Sequence, residues 1–418
     1  MLDSLFKSQI GNSKSKMKLH FSLMQAVADA LLEIFQNGKY ADKVIEKALR
    51  ADRNRGAKDR AFIAENTYEC VRYWRRLWFL KTGETVIPEK FSATDMIQLI
   101  GIQLILRGID LPTWDEFRHL ERDKLVCYFE DLNLRKVRAS IPDWLDEQGA
   151  AELGETQWGV ELDALNQPSK VALRVNFLKT DLKKLQLNLS AEGFDTDVIG
   201  TESLVLKKRG NIFQSALFQE GQFEIQDIGS QAITRFLEVE AGMRVIDACA
   251  GAGGKTMHLA TIMENKGKII ALDTELWKLD ELKKRAKRNG AHIIEVRQLE
   301  STKVVKRLHE SADRVLLDVP CSGLGVLRRN PDAKWKLSPE FIAKVRLTQQ
   351  QILQDYAKMT KIGGKLVYAT CSIFPSENEK QVELFLKQNP NFKFLKEQKI
   401  SPARDGFDGF YMALLERI

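Results

Sequence analysis

Lys365-Leu-Val-Tyr-Ala-Thr-Cys-Ser372 decides how the chain is read. Its apolar run, Leu366-Val367-Tyr368, follows the turn signal Gly363-Gly364 and ends on a thiol, Cys371. A short apolar run bounded in this way predicts a buried strand. Such a strand delivers its last residues to the carboxyl edge of the sheet, where ligands gather in open α/β folds. Leu316-Leu-Asp-Val-Pro-Cys-Ser-Gly323 repeats the pattern and places a second thiol, Cys321, just past another apolar run. One cysteine at a strand end is usually a small buried hydrophobe. Two in matching positions make that reading considerably weaker.

Outward from this pair, strands and helices alternate in the way that builds a parallel sheet. Strands are predicted at residues 244–248, 268–272, 293–296, 314–318 and 365–369, with a last one at 409–415. Helices are predicted at 255–264, 275–289, 339–360 and 376–388. The first strand runs into a turn of Cys249, Ala250, Gly251, Ala252, Gly253, Gly254, Lys255 and Thr256. It ends like a phosphate-binding P-loop, but that motif needs glycine where Cys249 stands. A dinucleotide fingerprint would need glycine where Thr256 stands. What is left is a tight turn that lets the backbone approach a ligand at a helix N-terminus. Asp273 closes the second strand, where a carboxylate can accept both hydroxyls of a ribose; the alternative is that it caps the helix that follows. A glycine turn, a ribose acid and no phosphate cradle suggest S-adenosyl-L-methionine.

Bulk properties agree with a multidomain globular protein. The chain has 418 residues, 44% hydrophobic and 29% charged, too long for one compact core. A net charge of +7 suits a polyanionic partner without requiring one. Cys70, Cys127, Cys249, Cys321 and Cys371 form neither a disulfide framework nor a metal-ligand pattern, so a reducing cytoplasm and no metal are expected. No signal peptide is visible in the leader, residues 1–16, which is expected to be flexible. The most apolar window, 96–111, is interrupted by Gln98, Gln103 and Arg107, so no membrane span is expected.

Residues 17–139 read as all-helical. The stretch 59–80 is predicted as one helix with Arg72, Arg75 and Arg76 between its apolar positions, either simply solvated or facing RNA. Pro142 is placed to open a new helix. Residues 140–235 then hold a linker helix and a small α+β unit, with strands expected at 171–177, 204–207 and 221–225 and a helix at 182–192. Arg174, Lys179, Lys183, Lys184, Lys207, Lys208 and Arg209 stud it, as a solvated surface or a wall for RNA.

Taken together, Gly221-Gln-Phe-Glu-Ile-Gln-Asp-Ile-Gly-Ser-Gln231, C-A-G-A-G-G-K-T, D-V-P-C-S-G, Arg328-Arg-Asn-Pro-Asp-Ala-Lys-Trp335, Y-A-T-C-S, P-S-E-N-E and Gly409-Phe-Tyr-Met-Ala413 resemble the RNA 5-methylcytosine methyltransferases of the NOL/NOP/Sun group. With a helical N-terminus similar to the antitermination factor NusB, the whole chain resembles the bacterial Sun/Fmu (RsmB) type. The resemblance implies an α/β fold: a Rossmann-like methyltransferase domain at 236–418 with a mostly parallel seven-stranded sheet, preceded by an RRM-like α+β domain and a NusB-like RNA-binding domain. It implies methylation of C5 of a cytosine in small-subunit ribosomal RNA by a monomer that uses S-adenosyl-L-methionine. It assigns the nucleophile to Cys371 and product release to Cys321. Asp318 would hydrogen-bond N3 or N4 of the base, as an acid kept protonated by burial, and Lys255 would orient it or contact the nucleotide. The cofactor would lie against 249–256, Asp273, Asp318 and an acidic residue after the third strand. The family has Asp there, and Glu300 is the nearest candidate. The family's turn also commonly reads C-A-A-P-G-G-K-T, where Gly251 and Ala252 stand here. Chemistry alone leaves Cys321 open as nucleophile, since DNA cytosine methyltransferases use a proline-cysteine. Transfer RNA as substrate, or a non-catalytic assembly factor, are the rival readings.

Overall fold

The computed structural model describes residues 19–52 and 54–418 and divides the chain into two compact units. The predicted leader, the first residues of the all-helical stretch and Arg53 lie outside the described residues.

One unit takes the described residues up to Ala150 together with Arg329–Leu337. Its core is built from helices Phe21–Phe35, Ala41–Ala51, Ala57–Arg72, Trp74–Thr82 and Ala93–Leu106, around Met24, Leu31, Trp74, Trp78 and Ile100. The single helix expected over 59–80 breaks at Tyr73, because the backbone N–H of Arg75 bonds the Ser140 hydroxyl (2.9 Å). The arginines of this stretch do not form a free RNA-facing surface. Arg72 and Arg75 are buried, and Arg75 bonds the Ile141 carbonyl and pairs with Asp143, both at 2.8 Å. Arg76 stacks 3.5 Å from the centre of the Tyr73 ring. The segment Arg329–Leu337, read from sequence as part of the C-terminal half, belongs to this unit: Trp335 donates to the Val71 carbonyl (2.9 Å), and Asp332 accepts from the Ala41 N–H (3.0 Å) at the start of its helix.

The other unit holds two sheets. The smaller consists of β1 (Ala172–Val175), β2 (Thr196–Ile199), β3 (Ser203–Leu206) and β4 (Phe223–Ile225), antiparallel in the order β2-β3-β1-β4. Helix Leu182–Ala191 packs Leu185 and Leu189 on it. The larger contains β5 (Arg244–Asp247), β6 (Lys268–Asp273), β7 (Ile294–Gln298), β8 (Ala312–Asp318), β9 (Thr360–Thr370), β10 (Phe392–Ile400) and β11 (Phe410–Arg417) in the order β10-β11-β9-β8-β5-β6-β7. From β7 to β9 neighbours are parallel; β10 and β11 are antiparallel. Alternate residues feed two cores, Ile246, Val315, Leu317 and Tyr368 on one face, Val245, Leu316 and Val367 on the other. The expected turn at Gly363-Gly364 lies instead within β9, at an irregularity where Ala312 pairs with Thr360 and Arg314 with Lys365.

A buried histidine yields a stability prediction in this unit. His258 Nε2 lies 3.1 Å from Glu202 Oε2, which also accepts from Arg235 (3.0 Å). Burial, then the positive Arg174, lowers the His258 pKa to about 4, against the opposing pull of Glu202. The unfolded chain takes up this proton below about pH 6.5 and the folded one does not, so acid favours unfolding. Asp247, pushed up to about 7, has the opposite slope over the same range, which hides the effect in the wild type alone. Relative to His258→Gln, the wild type is therefore expected to lose about 1.4 kcal/mol per pH unit below pH 6.5, roughly 3 kcal/mol by pH 4. Urea unfolding at several pH values measures it. A difference that stays flat would mean the ring is charged in the fold.

Candidate active site

The sheet order places the site. Its direction of winding reverses between β5 and β8, and ligands bind at such a switch point beyond the carboxyl ends of the strands. β8 and β9 are parallel neighbours with Asp318 opposite Ala369, so the segments leaving them run side by side. This brings the two thiols together: Cys321 Sγ and Cys371 Sγ are 3.2 Å apart, and the Cys371 N–H points at Cys321 Sγ (3.3 Å). Both residues are half-buried and both are free thiols. The hydrogen bond with Cys371, followed by burial, pushes the Cys321 thiol well above its usual range. Either thiol can donate across this contact.

Asp318, at the end of β8, accepts from Lys255 Nζ at 2.6 Å. Burial opposes the charge on Lys255, but Asp318 outweighs it and holds the ammonium above its usual range. Lys255 is therefore held as the hydrogen-bond donor of this pair. Lys255 also lies 5.7 Å from the centre of the Phe410 ring.

The glycine turn joins β5 to helix Gly254–Ile262. Gly253 has φ +87°, and a Cβ there would lie 2.5 Å from Leu282 Cγ, so glycine permits both the turn and the approach of the next helix. Asp273 ties the glycine turn to the segment that enters the next helix: it accepts from the N–H of Gly251 and that of Glu275, both at 2.9 Å, but it does not cap that helix, whose N-cap is Glu275. Two guanidinium groups grip the turn's carbonyls, Arg285 on Ala252 and Arg174 on Gly254 (2.8 and 2.7 Å). Arg285 is held in turn by Glu224 of β4 (2.7 Å). The small sheet therefore braces the turn, and Arg174 belongs to that brace rather than to an outer wall.

This turn fits an adenosyl ligand. A Cβ built on Gly251 or on Gly254 meets no heavy atom within 4 Å, so the space over the turn is open. Cys249 borders it, its thiol pushed well up by burial and by the negative Asp247, Asp318 and Asp273. Glu300 is exposed, beyond the end of β7, and among the described residues no hydrogen bond or ion pair holds it toward the turn.

Sequence reasoning missed two acids. Asp247, the last residue of β5, accepts from Thr256 Oγ1 (2.7 Å) and keeps its other oxygen buried without a partner. Burial, with Asp318 adding to it, pushes its carboxyl up to about 7. An acid ending an apolar strand just before the turn was the available signal. The second is Glu377, within the P-S-E-N-E stretch.

A sheet of this order, with a glycine turn after its first parallel strand and an acid closing the next, defines an S-adenosylmethionine-dependent methyltransferase. Residues 234–416 match the family described as 16S rRNA methyltransferase RsmB/F, and 141–213 match the ferredoxin-like domain of RsmF/B-like methyltransferases. The probable ribosomal RNA small subunit methyltransferase B of Bacillus subtilis is 32% identical over 450 residues, covering 95% of this chain and 99% of that protein. Its counterpart in Synechocystis is 32% identical, covering 87% and 88%. Among solved structures, PH0851 superposes with a TM-score of 0.81 at 25% identity, covering 96% of this chain and all of that one. NSun6 from Pyrococcus horikoshii gives 0.61 at 22%, covering 66% and 98%, a likeness of fold. The chain belongs to the RsmB/F family of small-subunit ribosomal RNA methyltransferases.

Proposed function

We propose that the chain methylates C5 of a cytosine in small-subunit ribosomal RNA through a covalent bond between Cys371 and C6. The observation that carries this reading is the 3.2 Å approach of two thiols at the sheet edge that also holds the glycine turn. C5 of cytosine is a weak nucleophile. Attack of the Cys371 thiolate forms an S–C6 bond and moves the C5=C6 electron pair toward C4 and N3, leaving an enamine; covalent catalysis of this kind divides one hard step into easier ones. Lys255, its ammonium held above its usual range, donates to N3, and Asp318 accepts from the N4 amino group. Bound S-adenosylmethionine supplies the electrophilic methyl carbon. As the C5 proton passes to solvent water and the N3 proton returns to Lys255, the C5=C6 bond re-forms, the S–C6 bond breaks, and the Cys321 thiol hydrogen-bonds the departing sulfur. Such a base must leave its stack, which is cheapest in a single-stranded loop.

On this reading Cys249–Thr256, Asp273 and Asp318 hold the cofactor, RNA is the partner, and one chain working in the cytoplasm suffices. Among the described residues no helix is long and apolar enough to cross a membrane. The test is incubation of deproteinised 16S RNA with the chain and S-adenosylmethionine, followed by bisulfite sequencing. One protected cytosine is expected. Protection found only in transfer RNA, or methylation at a nitrogen or ribose oxygen, would overturn the assignment.

A further inference from the structure

Directly behind the two cysteines sits a fully buried carboxylate that the chemistry above does not use. Glu377 Oε2 accepts from the Ser322 N–H (2.8 Å) and from Gln349 Nε2 (3.1 Å). Its Oε1 accepts from the Ser322 hydroxyl (2.6 Å) and the Ser372 hydroxyl (2.5 Å). Those two serines each follow one of the paired cysteines, and their hydroxyls also touch, at 3.1 Å. Gln349 bonds the Pro320 carbonyl as well (3.0 Å), one residue before Cys321. The backbone of Glu377 is fixed by the Tyr368 hydroxyl on its carbonyl (2.7 Å), and Asn378 bonds the Ser372 carbonyl (2.9 Å). Among the described residues no lysine, arginine or histidine pairs with this carboxylate, so hydrogen bonds alone satisfy it. Burying a charge this way is costly, and fold stability would be served as well by apolar packing.

We infer that Glu377 is a positioning residue that clasps the two cysteine-bearing segments and sets the approach of Cys321 to Cys371. One carboxylate is shared by both segments, so neither cysteine can shift without stretching a bond to the other's neighbour. Its negative charge also faces Cys321 and adds to the forces that keep that thiol protonated. The consequence for catalysis rests on the cysteine roles proposed above; the geometric claim does not, and the experiment separates the two.

The test compares the wild type with Glu377→Gln and with a Ser322→Ala, Ser372→Ala double variant, which removes both hydroxyl bonds, and with them the link to the Cys371 segment, while leaving the carboxylate and its bond to the backbone N–H at 322. First, iodoacetamide labelling without RNA is followed against pH, with the Cys321 peptide quantified by mass spectrometry. Glu377→Gln is expected to move the midpoint of Cys321 labelling about one unit toward lower pH, while the double variant speeds labelling with a smaller shift. Second, kcat for methyl transfer is expected to fall about tenfold or more in both, with the KM for S-adenosylmethionine unchanged. Wild-type labelling profiles and kcat in folded variants would overturn the clasp, even if thermal stability fell. Should Glu377→Gln not fold, the double variant alone decides. A labelling shift in a protein whose Cys321→Ala variant makes no RNA adduct would keep the clasp and sink the cytosine chemistry.

Discussion

Cys371→Ala and Cys321→Ala are expected to stop the enzyme at opposite ends of its cycle. In Cys371→Ala no sulfur attacks C6, so methyl transfer falls by on the order of 10⁴-fold or more, as when a covalent nucleophile is removed elsewhere. No RNA adduct forms. In Cys321→Ala the attacking sulfur is intact but has lost the thiol 3.2 Å away that hydrogen-bonds it as it leaves. The S–C6 bond should form and persist. On a denaturing gel with RNA and S-adenosylmethionine, Cys321→Ala gives a retarded protein–RNA band and Cys371→Ala gives none. The hydrogen bond to Cys371, then burial, pushes the Cys321 thiol above its usual range, the direction that a donor to a leaving sulfur requires. The reverse gel pattern would exchange the two roles. Cys249 offers no substitute nucleophile, since burial and three carboxylates hold its proton in place.

How far the sequence disclosed all this depends on the range of the interaction involved. β5, β6, β8 and β9 were legible because each is a short apolar run bounded by a glycine or a polar residue. Parallel pairing then carried Cys321 and Cys371 to one edge, which follows from topology alone. β2 and β10 escaped notice for the opposite reason. They are edge strands whose outward positions carry Asp197, Lys393, Lys396, Glu397 and Lys399, so their apolar alternation is broken by the charges that protect an edge. Arg72 and Arg75 misled because a guanidinium reads the same in sequence whether it meets phosphate or a carbonyl such as that of Ile141. Asp273 could be read as a ribose acid or as a helix cap; its two oxygens bond the Gly251 and Glu275 N–H groups, and the helix that follows is capped at Glu275 instead. Glu377 lay in a stretch already noted for family resemblance. Its partners Ser322 and Gln349 are 55 and 28 positions away, beyond any local pattern.

Gly325→Ala is expected to cost about a hundredfold in kcat, and the reason is a contact between backbones. The N–H of Gly325 bonds the Cys371 carbonyl (2.9 Å), and its own carbonyl accepts from the Gly409 N–H (2.8 Å). A Cβ at 325 would stand 2.1 Å from the Gly409 oxygen and 2.8 Å from that of Cys371. Neither atom can rotate away, because one belongs to the segment leaving β9 and the other to the entry of β11. The segment after Cys321 must therefore withdraw, and Cys321 moves with it. Misplacement of a reacting group by about 1 Å typically costs on the order of 10²-fold. Overpacking adds about 1–3 kcal/mol of lost stability. Gly323→Ala is the control that separates strain from displacement. Gly323 has φ +73°, so alanine costs about 1–2 kcal/mol there. Its Cβ, however, would meet nothing nearer than Val326 Cγ2 at 3.7 Å, so the cysteines stay where they are. Both variants should lose stability on urea unfolding, both should bind S-adenosylmethionine normally by calorimetry, and only Gly325→Ala should lose turnover. Equal kcat values for the two would mean that the spacing of the sulfurs does not depend on how closely these backbones approach.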